Sequence, residues 1–453
     1  MLSSVDQLLD ELARDVDDVV ADPAVIEGYR RDEAAPGLLE AGMPAAVVRP
    51  RDTAQVASAV RVASAHGVPI VPRGAGSGLS GGANAIDGCV VVCLERMADV
   101  IDIDAPSLTA TVEPGVINAA LKRVAASAGL WYAPDPASFE FCTVGGNVAT
   151  NAGGLCCVKH GVTRDAVLGV EVVLADGQVL HLGRRTRKGV MGYDLTALMC
   201  GSEGTLAIVT AVTVRLLPPE QVAGTIVATF SDLGAAGRAV ARIVGGVTPS
   251  LLEIMDAPTI AAVQAFKPMS FEDPPAALLF ARAERAEDVA RIAQCCEDAR
   301  ADLVVTSDEQ AEGRMLLAAR RLAYPALERM GATLLDDVAV PVARIPDLLD
   351  AVPGVAAAHE VTIGTFGHAG DGNLHPTIVY DRDDPDARGR ARAAFEAIVR
   401  LALALGGTAT GEHGVGALKT TFCDAELGAA RGLHRAVKRA FDPAGLMNPG
   451  KAI

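Results

Sequence analysis

The apolar positions along the chain change period several times, and each change marks an element. Val56 to His66 places small apolar residues at helical spacing, and Val68 to Pro72 follows as the short continuous apolar run of a buried strand. Cys89 to Leu94 is a second such run. Leu168 to Leu174 and Val179 to Leu182, joined through Asp176-Gly177, predict a hairpin, because Asp-Gly tolerates the positive φ of a tight turn. A further apolar strand follows Gly201-Ser202-Glu203-Gly204 and stops at Pro218-Pro219, where neither a ladder nor a helix continues. Beyond it, runs at Gly224 to Phe230, Ala277 to Ala281, Ala358 to Phe366 and Thr377 to Tyr380 alternate with alanine-rich helical stretches, the pattern of one antiparallel sheet layered with helices. The first 40 residues predict short surface helices, and the last 13 are turn-rich.

Length and charge narrow this picture. A chain of 453 residues exceeds what one core serves, so two or three domains are expected. The net charge of -16, with no clustered lysine and arginine, argues against nucleic acid and anionic lipid as partners. No apolar run reaches the ~18 residues of a spanning helix, and the amino terminus has neither a basic n-region nor an apolar h-region, so a cytoplasmic location is expected. Nine cysteines, with adjacent pairs at Cys156-Cys157 and Cys295-Cys296, fit reduced thiols, and no Cys-x-x-Cys points to an iron–sulfur module.

Two glycine-dense segments carry candidate chemistry. Gly76-x-Gly78-x-x-Gly81 satisfies the dinucleotide fingerprint in form, but a new strand arrives within ten residues where a helix is required. What remains is a loop whose closely spaced amides can cradle an anion, with Arg73 offering a fork to a pyrophosphate. Thr143 to Gly154 lets a planar ligand lie against bare main chain, or is a run of tight turns without one.

The densest chemistry lies later. Gly367-His368-Ala369-Gly370-Asp371-Gly372-Asn373-Leu374-His375, with Gly411-Glu412-His413-Gly414, supplies two imidazoles, a carboxylate and a spare imidazole. His368, His375 and Glu412 are the three-protein-ligand set of a catalytic zinc or similar ion. The two histidines would sit on opposite faces of one extended strand, so the Gly370-Asp371-Gly372 bend must bring them together. His413 would stay free as a base near neutral pH. His359 falls on the preceding predicted strand and is read as incidental. The alternative, ordinary loop histidines, has to explain why three of eight histidines fall in two short motifs.

Taken in order, Pro72-Arg73-Gly74-Ala75-Gly76-Ser77, Pro134-Asp135-Pro136-Ala137-Ser138, Gly145-Gly146-Asn147 with Asn151-Ala152-Gly153-Gly154, Gly201-Ser202-Glu203-Gly204, the histidine motifs and Asn448-Pro449-Gly450-Lys451 resemble the FAD-linked D-2-hydroxy-acid dehydrogenases of the vanillyl-alcohol oxidase superfamily. That group includes glycolate oxidase catalytic subunits, D-lactate dehydrogenases and D-2-hydroxyglutarate dehydrogenases. The resemblance implies an α+β protein with N-terminal helices at 1–40, a two-part FAD domain at 41–218, a substrate and metal cap with an antiparallel sheet at 219–440, and a segment at 441–453 returning to the FAD domain. It implies FAD contacts from Pro72, Arg73, Gly74, Ala75, Gly76, Ser77, Gly78, Asp135, Thr143, Gly145, Gly146, Asn147, Asn151, Gly153, Gly154, Glu203, Gly204, Ile208 and Asn448. Ser77 stands where some relatives tether FAD through histidine, so noncovalent FAD is expected.

The implied chemistry is oxidation of a D-2-hydroxy acid to the 2-oxo acid, with a divalent ion, zinc or manganese, polarising the hydroxyl, His413 taking its proton and hydride passing to flavin N5. Arg320 matches the arginine that holds the substrate carboxylate, and Tyr324 and Asn373 complete the substrate positions. Leu335 stands where hydroxyglutarate-specific relatives carry lysine, which favours D-lactate, glycolate or a longer apolar acid over a dicarboxylate. Electrons would pass to a quinone, an electron-transfer flavoprotein or another acceptor, and a homodimer fits the resemblance. A flavin-dependent transferase resembling the alkylglycerone-phosphate synthases and a redox-sensing flavoprotein subunit are the competing readings.

Overall fold

Three β-sheets carry the chain in a computed structural model that describes residues 4–35, 37–186, 188–267 and 273–453. The first sheet runs Val19–Val20, Ala46–Val48, Val90–Cys93, Ile70–Arg73. Its first pair is antiparallel and the other two are parallel. A parallel strand is covered on both faces and so reads as an unbroken apolar run, and all four residues of Val90–Cys93 are buried. The helix Thr53–Ala65 makes the crossover, started by the Asp52 carboxylate accepting from Gln55 N, and buries Val56, Val60 and Ala63. Residues 74–89 join two parallel neighbours with no helix between them, which is why the dinucleotide fingerprint fails here.

The amino-terminal helix is less superficial than its acidic face suggests. Leu8 and Leu12 of Ser4–Asp15 are buried in the core of this sheet, and Val19–Val20 extends it by a strand.

The second sheet, ordered Val100–Asp104, Thr109–Val112, Ile208–Arg215, Val167–Val173, Val179–Gly183, is antiparallel throughout. The predicted hairpin is its last pair, with Gly177 at φ +79° in the turn. On its inner face pack Asn118–Ser127 and Val144–Thr150. The latter corrects the reading of Thr143 to Gly154 as turns: Thr143 Oγ1 caps the helix by accepting from Gly146 N, and Asn151 ends it in the left-handed region at φ 54°.

The third sheet has eight strands. Seven follow the order Leu303–Ser307, Gly224–Phe230, Ala277–Ala283, Leu251–Asp256, Thr362–His368, Asn373–Tyr380, Ala332–Leu335, and Val338–Ala339 pairs with Asn373–Tyr380 off this path. Both faces are covered. Leu252 and Ile254 join the larger core with the helices Leu233–Gly246, Ile345–His359 and Pro385–Ala404, while Leu251 and Met255 join a smaller one with Ala257–Phe266 and Ala323–Glu328. The predicted strand Ala358 to Phe366 begins later than expected, because Ala358 and His359 end the helix Ile345–His359 and Glu360 breaks it at φ 53°. His359 is therefore a helix-terminal residue rather than a strand residue.

The chain closes on the first two sheets. Val437 and Phe441 of Arg431–Phe441 pack on the second core, and Met447 bridges to Ile70 of the first sheet.

Candidate active site

A cleft of about 1720 Å³ opens where the three sheets meet, larger than the roughly 300–1,000 Å³ of drug-sized pockets. Of the expected cofactor positions, residues 72–78, Thr143, residues 145–147, Gly153, Glu203, Gly204 and Ile208 line it. Asp135, Asn151, Gly154 and Asn448 stand behind the wall. Asp135 Oδ1 accepts from Cys156 N, and Asn151 Oδ1 accepts from Arg164 N. The space a side chain at Gly154 would need is filled by the backbone of Asp135. Asn448 Nδ2 donates to Gly82 O and Glu203 O, tying the carboxyl-terminal segment to two cleft loops.

The loop at 74–78 leaves its amides without partners: among the described residues its five backbone N–H groups donate to no protein acceptor, so a bound anion would satisfy amides that the fold leaves free. Arg73 does a different job from the fork expected of it. Its Nη1 donates to Arg31 O at 2.9 Å, and its guanidinium fills the place a side chain at Gly76 would take, so it holds the loop from within.

The histidine hairpin stands behind the cleft: Glu412 and His413 line it, while His368 and His375 lie deeper. In the register Phe366 opposite His375 and His368 opposite Asn373, both histidines lie on the same face of the sheet, with ring centroids 5.2 Å apart. The bend between them does what the spacing required. Glu412 arrives from a separate loop, and its Oε1 lies 3.2 Å from His368 Nε2 and 3.2 Å from His375 Nε2. Donors of one ion with bonds of about 2.1 Å stand roughly 3 to 3.5 Å apart, and each histidine nitrogen is at that distance from the Glu412 oxygen. His413 Nε2 is 3.7 Å from the same oxygen, which makes it a third nitrogen at the site.

By distance the closest set differs from the expected one: ligand atoms of Asp337, His375, Glu412 and His413 lie within 4.8 Å of one another, a group with Asp337 and His413 and without His368. The hydrogen bonds of Asp337 argue against it as a ligand. Asp337 Oδ2 accepts from Thr410 Oγ1 and the backbone N of Gly411, Glu412 and His413, and Oδ1 accepts from Asn373 Nδ2. It faces Nδ1 of His375 at 3.7 Å and of His413 at 3.9 Å, the ring atoms turned away from Glu412. That is the place of a carboxylate orienting ligand histidines from behind. Asn373 thereby spends its amide on Asp337 and Val338 O, so what it does in the structure is hold this loop.

Charge at the cluster is tightly coupled. Burial pushes the Glu412 carboxyl upward, but the His368 charge and hydrogen bonds from both histidines hold it well below the usual carboxylate range. Burial lowers His375, with the charges of His413 and His368 acting the same way and Glu412 opposing them.

Arg320 and Tyr324 come to this region by different routes. Arg320 lies buried against Phe366, its guanidinium carbon 4.7 Å from the ring centroid, with Nη2 on Glu253 at 2.8 Å and Nε buried without a partner. Its neighbour Arg321 reaches the cleft. Tyr324 lines the cleft near Leu335, its hydroxyl 3.2 Å from Thr333 Oγ1.

Sequence reasoning missed Glu253, Asp337 and Lys419. The signal was present: each is a charged residue in a locally apolar or glycine-rich run, and each is at most 2% exposed. Lys419 Nζ donates to Asp337 O and Ala409 O and pairs with Asp336, fixing the Glu412 loop from below.

Comparison with known proteins bears on this geometry. Residues 219–452 match the family described as FAD linked oxidases, C-terminal domain, and residues 44–183 match the FAD binding domain. Similar proteins include glycolate oxidase subunit GlcD of Bacillus subtilis, 41% identical over 90% of this chain and 89% of that protein. D-lactate dehydrogenase of Archaeoglobus fulgidus is 33% identical over 98% of this chain and 99% of that one. Among solved structures, 4-ethylphenol oxidase from Gulosibacter chungangensis superposes with a TM-score of 0.80 at 19% identity, covering 99% of this chain and 97% of that one. Alkyldihydroxyacetonephosphate synthase gives 0.77 at 19% identity, over 98% and 85%. At these identities the two structures speak to the fold, which is of the vanillyl-alcohol oxidase type.

Proposed function

The chain belongs to the FAD-linked oxidase family, and from that premise we propose that it oxidises a D-2-hydroxy acid to the 2-oxo acid at the ion-binding wall of the cleft. The glycine-lined part of the cleft would hold FAD noncovalently, with the free amides of residues 74–78 available to its pyrophosphate. His368, His375 and Glu412 hold the ion, zinc or manganese. When bound, the ion acidifies the hydroxyl and FAD accepts the electron pair as hydride from the α-carbon.

The protein's own groups do the rest. His413 accepts the hydroxyl proton at Nε2 while its Nδ1 faces Asp337. Arg320 lies just behind the cleft lining, and its unpartnered Nε would take the substrate carboxylate, which relieves a buried unsatisfied donor. Tyr324 and Leu335 close the far side with a mostly apolar surface, which favours a monocarboxylate such as D-lactate or glycolate over a dicarboxylate. Electrons then leave to a quinone, an electron-transfer flavoprotein or a similar acceptor.

The observation that carries this reading is that His368 Nε2 and His375 Nε2 each lie 3.2 Å from Oε1 of Glu412, which lines the cleft. Anaerobic mixing of the flavin-loaded protein with D- and L-hydroxy acids tests it. D-lactate or glycolate should bleach the flavin and L-lactate should not, and bleaching should vanish after chelation and return with zinc or manganese. Bleaching that survives complete removal of the ion would refute the metal's part.

A further inference from the structure

Glu253 lies in the strand Leu251–Asp256, between Leu251 and Met255 on the same face, and is 0% exposed. A carboxylate buried in apolar company is costly unless its oxygens are partnered. Oε1 is hydrogen-bonded to His368 Nδ1 at 2.7 Å, and Oε2 lies 2.8 Å from Arg320 Nη2, an ion pair without hydrogen-bond alignment. These partners come from two other elements, the strand Thr362–His368 and the helix Gln310–Arg321, and Glu253 does not line the cleft.

Building on the function proposed above, we propose that Glu253 is a positioning residue that sets, with one carboxylate, both attachment points of the substrate: the ion, through His368, and the carboxylate-binding fork of Arg320. Each half has a physical reason. When Nδ1–H is given to Glu253, the lone pair of His368 is on Nε2 and points at Glu412, 3.2 Å away. With Nη2 paired with Glu253 and the guanidinium face laid on Phe366, the plane of Arg320 is fixed from edge and face, and among the described residues Nε and Nη1 meet no protein acceptor. A 2-hydroxy acid grips the ion by its hydroxyl and the arginine by its carboxylate. The separation of those two points decides whether its α-hydrogen is aimed correctly, and Glu253 spans them.

A structural ion pair that merely helps folding would not alter ligand affinities in the folded, flavin-loaded enzyme. The test therefore uses full-length protein with equal FAD content and reads zinc affinity by competition with a chromogenic chelator, and oxalate affinity by the shift of the flavin spectrum. Glu253→Gln should weaken zinc by about 10- to 100-fold, the usual cost of losing a carboxylate behind a ligand histidine, and should weaken oxalate as well. Arg320→Met should leave zinc affinity within about threefold while oxalate binding falls at least about tenfold, the loss of one charge-assisted pair. Glu253→Asp should recover part of the zinc affinity. If Glu253→Gln folds poorly because Arg320 is left unpaired, the double variant Glu253→Gln/Arg320→Gln removes both charges, and its zinc affinity should fall by the same factor relative to Arg320→Gln alone. Zinc affinity unchanged on losing Glu253, in either background, overturns the proposal and leaves the metal site standing. Wild-type protein that takes up neither zinc nor manganese overturns the metal reading and this proposal together.

Discussion

His413 stacks on His375, ring centroids 5.1 Å apart and planes 16° apart, and its Nδ1 is buried without a hydrogen-bond partner. A ring held on one face, with a carboxylate behind and the cleft in front, is placed to take a proton without moving. Replacing His413 with Asn should therefore lower kcat by about 10²- to 10⁴-fold, the usual contribution of a general base, with zinc content unchanged. Steady-state rates with metal analysis of the same samples check this, and loss of zinc along with activity would make His413 a ligand instead. The site depends on what is missing as much as on what is present: a side chain on Gly153 would strike Glu412 Oε2, so only glycine lets the carboxylate reach the histidines. His368, His375 and Glu412 were readable because glycines crowd them into two short motifs. The roles of Glu253 and Asp337 were not, since an acid in an apolar run signals burial but not its partner, and their partners lie 115 and 76 residues away.

The elements followed their patterns where one face decided the outcome and departed where tertiary packing intervened. The hairpin at 167–183 and the strand Gly224–Phe230 are where alternation and turn chemistry put them. Val144–Thr150 is a helix despite two glycines, each of which costs roughly 1 kcal/mol against alanine. Burial of Val144 and Val148 and the Thr143 cap offset that cost, and Gly145 lets the helix rest directly on Pro114, where a side chain would collide. A glycine required by close approach looks the same in sequence as one required by a turn. The strand Val19–Val20 was hidden for another reason, because two residues carry no period at all.

At the scale of the whole molecule the cleft is held shut at its base by contacts between distant parts of the chain. Glu203, at φ 50° in the loop before Ile208–Arg215, accepts from Val415 N and Gly416 N at 2.7 and 2.8 Å, and its own carbonyl accepts from Asn448. Burial pushes its carboxyl up to about 7, against those two backbone donors, which pull it down. The folded protein thus holds this proton more tightly than the unfolded chain does, so the group's contribution to stability is greatest below about pH 4.5 and declines until about pH 7, by about 3 kcal/mol in all. Denaturant titrations of the flavin-loaded protein across that window should show a shallower loss of stability in Glu203→Gln than in wild type. Parallel curves would mean that Glu203 titrates near its ordinary value.

The account rests on one ion in one place, and diffraction from crystals of the FAD- and zinc-loaded protein, collected on either side of the zinc absorption edge, looks for it directly. The expected result is a single strong anomalous peak within bonding distance of His368 Nε2, His375 Nε2 and Glu412 Oε1, facing the flavin ring across the cleft. A peak elsewhere, or no peak in protein that oxidises hydroxy acids at full rate, would contradict it.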